Sequence, residues 1–132
     1  MANHQVMPTV VDRAVVADQQ AYKESVRLSA DKLTEYLLDT IGQRITTAGV
    51  GLSDARQVRK WADGGAIRPS NEERLQLLYR VARTVELVFD AETARAFLRS
   101  RSPYLGDRSP LRAIADGDES AALESVKFLL EP

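Results

Sequence analysis

The sequence predicts an all-α fold, a helix-turn-helix domain with a smaller helical domain after it. Three observations carry that prediction. Apolar residues recur every three to four positions, as in Leu33, Leu37, Leu38, Ile41 and Ile45 or in Leu75, Leu78, Ala82 and Val85. Capping residues stand where such stretches begin, at Ser29, at Asp54 and at the Ser109-Pro110 pair. No run alternates convincingly with period two, so no sheet is expected.

Taken in order, residues 1–18 lack a helical period and are expected to form a mobile arm. Residues 19–89 are expected to hold the helix-turn-helix domain and residues 90–132 the C-terminal helical domain. A first helix runs from about Gln19 to Leu28. A second follows the Ser29 cap, and Gly42 with the β-branched Ile45-Thr46-Thr47 predicts a break in its far half. Gly49 and Gly51 punctuate the chain before Asp54 opens a short helix that Gly64-Gly65 closes. Pro69 is expected to keep the next loop extended. A long helix then starts near Asn71 or Glu72, and a short one follows Asp90. Ser100 to Asp107 is a loop. Ser109-Pro110 starts a helix that stops at Gly117, and a last helix covers about Glu119 to Leu130.

Composition narrows the function classes. At 132 residues the chain suits one domain, or two small lobes sharing a core. There is no cysteine, which excludes disulfides and thiolate metal sites. The only histidine, His4, falls in the expected arm, so nucleophilic and acid–base catalysis have little to work with and no enzyme is expected. Asp116-Gly117-Asp118-Glu119 lacks the length and alternating ligands of a calcium loop and fits a turn with helix-capping acids. No metal or cofactor is expected. Met1 to Pro8 lacks the apolar segment of a signal peptide and no apolar run is long enough to span a membrane, so a cytoplasmic protein is expected.

Charge is unevenly placed. Residues 54–83 carry seven basic side chains against four acidic ones, a local net of +3, whereas residues 111–132 have a net of −3. A basic middle and an acidic end predict two surfaces with different partners. The segment GVGLSDARQVRKWADGG, residues 49–65, has what a helix-turn-helix needs: a small residue at the helix crossing, a tight turn and an amphipathic second helix. Ala48 is the expected crossing residue, with Gly51-Leu52-Ser53 making the turn. Val58 and Trp61 anchor the second helix inward, so Trp61 should be buried. Ser53, Arg56, Gln57, Arg59 and Lys60 then face DNA. Arginine can bind guanine, glutamine can pair with adenine, and lysine neutralises phosphate. A solvated amphipathic helix with no partner is the competing reading of the same residues.

Beyond this segment lies AFLRSRSPYLGDRSPLRAIADGD. Its Phe97, Ser102-Pro103, Leu105-Gly106, Ser109-Pro110-Leu111 and Gly117-Asp118 come in the order of the C-terminal domain of the Xre/MbcA/ParS antitoxin group. With GLSDARQVRKWADG, Pro69 and ERLQLLYRVARTVE, the chain resembles that group and its actinobacterial helix-turn-helix relatives from about Leu37 to Leu130. Phe97 stands where that group commonly has tryptophan. The resemblance implies a homodimer that binds double-stranded operator DNA and represses its own operon. It also implies a RES-domain toxin, which destroys NAD, as a partner of the C-terminal domain, at Tyr104, Leu105, Arg108 and Lys127. Two half-sites read by one helix each need a two-fold dimer with recognition helices about 34 Å apart. The helix Glu72–Phe89 and the C-terminal domain are expected to supply its interface. Two functions follow: a DNA-binding repressor, or an antitoxin that acts mainly by inhibiting its toxin.

Overall fold

Thr9 begins the first helix of the computed structural model, which describes residues 9–131. Its hydroxyl accepts from the Asp12 N–H at 3.1 Å, and the Asp12 carboxylate accepts from the Thr9 N–H at 3.2 Å. This reciprocal cap starts α1 (Val10–Arg27). Residues 10–18 are therefore helix, and the arm expected over 1–18 is corrected. Residues 1–8, His4 among them, lie outside the described residues. The missing signal has a physical cause: the buried face of α1 is Ala14, Ala17, Ala21 and Ser25, small residues that give no large apolar stripe. They let α1 lie close along the long helix α5 (Pro69–Val88), its principal packing partner.

Among the described residues there are eight α-helices, one 3₁₀ turn and no strand, as the all-α reading expected. The stretch after Ser29 divides into α2 (Ala30–Thr40) and α3 (Gln43–Gly49) at Gly42. The short helix α4 (Ala55–Ala62) keeps its Asp54 cap, whose side chain accepts from the Arg56 N–H. Pro69 is the first residue of α5 and not a loop spacer, because its fixed φ suits a first helical turn. Then follow α6 (Ala91–Arg99), the 3₁₀ turn Pro103–Leu105, α7 (Pro110–Ala115) and α8 (Glu119–Leu130).

Helix α5 is the centre of the fold. Leu75, Leu78, Val81, Ala82 and Val85 are fully buried, and α1, α2, α6, α7 and α8 all pack on it. Each such side chain contributes about 1.5–3 kcal/mol of burial. Most of the apolar surface of Glu72–Phe89, the expected dimer face, is covered within the chain, and Leu87 and Phe89 at its end stay exposed. The boundary at residue 90 also dissolves. Leu98, Ile114, Ala122 and Val126 of the C-terminal part share one core with Leu33, Leu37 and Trp61. No helix among the described residues is long and apolar enough to cross a membrane.

Candidate nucleic-acid interface

Helix α4 is presented by two turns of the same kind. At the end of α3, Gly51 adopts φ +76°, and the Leu52 N–H returns to the Thr47 carbonyl at 3.0 Å. At the end of α4, Gly64 adopts φ +89°, and the Gly65 N–H returns to the Lys60 carbonyl at 2.8 Å. Both close in a Schellman pattern that a side chain at the left-handed position would strain. The chain thus leaves α3, reverses through residues 50–54, and runs α4 out to a second stop.

The close approach on α3 is made at Gly49, to α7 and α5, and not at the Ala48 expected to cross α4. A methyl group on Gly49 would lie 2.8 Å from Leu111 Cδ1 and 2.9 Å from Leu78 Cδ2, while Ala48 is exposed. Leu52 packs partly buried against the core. On α4, Val58 and Trp61 are fully buried at 0% exposure, which fixes the expected register. The Trp61 indole N–H finds no hydrogen-bond partner among the described residues.

That register leaves Arg56, Gln57, Arg59 and Lys60 exposed on α4, with Ser53 exposed in the turn before it. Arg56 is not idle. It donates from Nε to Asp54 Oδ2 at 3.0 Å and reaches the same oxygen from Nη2 at 2.9 Å. The Arg56 guanidinium and its backbone N–H hold the Asp54 carboxyl below the usual aspartate range. Both partners are largely exposed, so water and salt weaken the pair. Arg59 and Lys60 form no ion pair with the described residues.

The basic surplus read over 54–83 is smaller at the surface than in the sequence. Arg80 is held by Asp18, Arg83 by Glu24 and Glu86, and Arg74 donates to the Ala115 carbonyl at 3.0 Å. Arg68 lies at the start of α5 and lines a cleft with Gln57, Trp61 and Asn71, which extends the cationic rim of α4. Sequence periodicity gave no hint of it, because a residue just before a proline at a helix start belongs to no stripe. Arg44 is exposed on α3.

The residues expected to meet a protein partner separate into two groups. Tyr104 is 71% exposed and stacks on Phe128, with ring centroids 4.4 Å apart, and Lys127 beside it is exposed. Phe128 was not foreseen, since only tertiary folding brings α8 against the 3₁₀ turn. Leu105 is corrected to a core position, buried under that turn. Arg108 serves the chain itself: it donates to the Leu105 carbonyl at 2.9 Å, to Asp118 at 2.9 Å and to Asp116 at 3.2 Å. Asp118 also caps α8 by accepting from the Ala121 N–H, and Arg108 keeps its carboxyl below the usual range. The acids around Gly117 are thus capping and ion-pairing groups. No family model, no curated protein and no solved structure matches this chain.

Proposed function

We propose that this chain is a sequence-specific DNA-binding transcriptional regulator that represses through α4. One observation carries the reading: α4 buries Val58 and Trp61 and offers Arg56, Gln57, Arg59 and Lys60 to solvent. A short amphipathic helix, preceded by a tight turn and rimmed by cations, fits a major groove. Guanidinium and amide groups near its start suit base edges, and Lys60 and Arg68 suit phosphates. The test is an electrophoretic shift with the DNA upstream of the chain's own reading frame. A retarded band that survives excess unrelated DNA is expected. Equal competition by unrelated DNA would refute sequence specificity.

A second reading has its own support. An exposed stacked pair, Tyr104 with Phe128, beside Lys127 is the kind of aromatic anchor that protein interfaces use. In this reading the C-terminal region binds and inhibits a RES-domain toxin, and DNA binding is secondary. Co-expression with an adjacent RES-type reading frame distinguishes the two. A complex that Tyr104→Ala abolishes supports the antitoxin.

A further inference from the structure

Helices α1 and α8 leave a groove between them over α5, on a different part of the core from α4, which packs on α2 and α3. One stretch of it, about 340 Å³, is lined by Val15, Leu123, Val126 and Leu130. The other, about 240 Å³, is lined by Tyr22, Val26 and Leu77. Arg80, held by Asp18, stands between the two stretches and borders both. Val15, Tyr22 and Val26 fall on one side of α1 at helical spacing, next to the small residues that meet α5. Six of the eleven large apolar side chains exposed among the described residues belong to α1, so apolar surface is concentrated on this helix.

The charges along the groove choose its occupant. Asp18 is taken by Arg80, and Arg74 is turned to the Ala115 carbonyl. Glu73, Glu119, Glu124 and Glu131 make no ion pair or side-chain hydrogen bond with the described residues, and Lys127 is the one lining cation with no such bond there. Asp18 and Arg80 cancel, and Arg74 and Lys127 against these four carboxylates (2 − 4) leave the rim a net of −2 around an apolar floor. A phosphate backbone is repelled by such a rim. A second copy is disfavoured as well, because a two-fold interface sets a patch against itself and would face these carboxylates with their equals.

We propose that this groove docks an amphipathic helix of a protein partner whose apolar stripe is flanked by lysine or arginine. The walls suit that shape: the part of α1 that lines the groove, Ala14 to Val26, spans about 18 Å at ~1.5 Å per residue, room for a helix of about three turns. The apolar stripe of the partner fills the line from Leu130 to Val26, and its cations meet Glu124 and Glu131 at one end and Glu73 and Glu119 at the other.

The probe is an 18-residue leucine–lysine amphipathic peptide, with its leucine–glutamate counterpart as control. Binding to the intact protein is read by anisotropy of labelled peptide and by amide chemical shifts. The lysine peptide should bind with shifts confined to α1, α8 and the adjoining turn of α5, and the glutamate peptide at least about tenfold more weakly. The double variant Val15→Ser, Val26→Ser changes exposed residues only and should weaken the lysine peptide about tenfold. Val16→Ser, elsewhere on α1, should leave it unchanged. Shift of the upstream DNA should be the same for all these variants, which separates this groove from α4. Equal binding of the two peptides, shifts outside the groove, or no binding would overturn the proposal. So would self-association in sedimentation that the double variant abolishes, since the occupant would then be a second copy.

Discussion

Arg80 grips Asp18 with two donors, Nε to Oδ1 at 2.9 Å and Nη2 to Oδ2 at 3.0 Å, and so ties the middle of α5 to the middle of α1. Three residues further along α5, Arg83 does the same with Glu24 at 2.9 Å, and the Tyr79 hydroxyl donates to that carboxylate at 2.8 Å. Small side chains bring the two backbones together, and this line of polar bonds fixes their register. The charges of Arg80 and Arg83 are thereby neutralised inside the molecule, whereas Arg59 and Lys60 on α4 form no ion pair with the described residues.

That line of bonds should make stability depend on pH. Burial pushes the Glu24 carboxyl up, but Arg83, Tyr79 and Gln20 outweigh it and hold it below the ordinary glutamate range. A carboxyl depressed in the folded state contributes its stabilisation above the unfolded value and loses it as pH falls through the folded one. Stability should therefore drop below about pH 4.3, the unfolded glutamate value. Glu24→Ala should cost about 1–3 kcal/mol at pH 7, the range for a hydrogen-bonded charged group. Urea titrations of both proteins at pH 7 and pH 3 check this: the difference between them should shrink at the lower pH, and an unchanged difference would refute the assignment.

Trp61 anchors α4 to the core. Trp61→Ala should destabilise by about 3–5 kcal/mol, the range for a buried large aromatic. Trp61→Phe should cost less, because it also removes an indole N–H that is buried without a partner. Chemical denaturation of the two variants gives the order, and a larger loss for Phe would mean that the indole N–H is satisfied in solution.

Gly49 carries the close approach of α3 to α5 and α7. Gly49→Val would place side-chain carbon against Leu111 and Leu78 and should cost about 1–3 kcal/mol or more by overpacking. Ala48→Val, on the exposed side, should stay within about 0.5 kcal/mol. If the two variants melt together, the close approach lies elsewhere.

Among the α4 side chains, loss of a base contact differs from loss of a phosphate contact. Arg56→Ala or Gln57→Ala should cost about 1–3 kcal/mol of operator binding and relax preference at one base pair. Arg59→Ala and Lys60→Ala should weaken all sequences alike and lower the slope of log K against log salt by about 0.9 each. Four variants that bind like the parent would leave α4 as a solvated helix only.

Asp54 gives an independent handle on the same surface. Asp54→Asn keeps a capping side chain, frees Arg56 from its ion pair and removes a charge that repels phosphate. Operator affinity should rise while thermal stability changes little. A fall in affinity would show that Asp54 positions Arg56 for its base.

The pattern that was legible in the sequence is the pattern that rests on large side chains and local caps. Val58 and Trp61 at i and i+3 after the Asp54 cap gave α4 its register, and Ser109-Pro110 gave the start of α7, because both depend on neighbours within one turn. The exposed face of Arg56, Gln57, Arg59 and Lys60 followed from that register. Helix α1 was not legible from Val10 to Asp18, since a helix that buries alanines and leaves valines exposed has no ordinary amphipathic stripe.

The sequence by itself determined most of the helical segments and where most of them stop, because periodicity, capping side chains and glycine turns act over a few residues. Only the tertiary structure decided which side chains are free and which are engaged. It covered α5 with α1, spent Arg74, Arg80 and Arg83 on partners inside the chain, buried Leu105 and turned Arg108 onto Asp116 and Asp118. It also brought Tyr104 against Phe128 and opened the acidic groove between α1 and α8. Each of these joins residues far apart in the chain, and whether a side chain is free or engaged depends on a neighbour that no local pattern names.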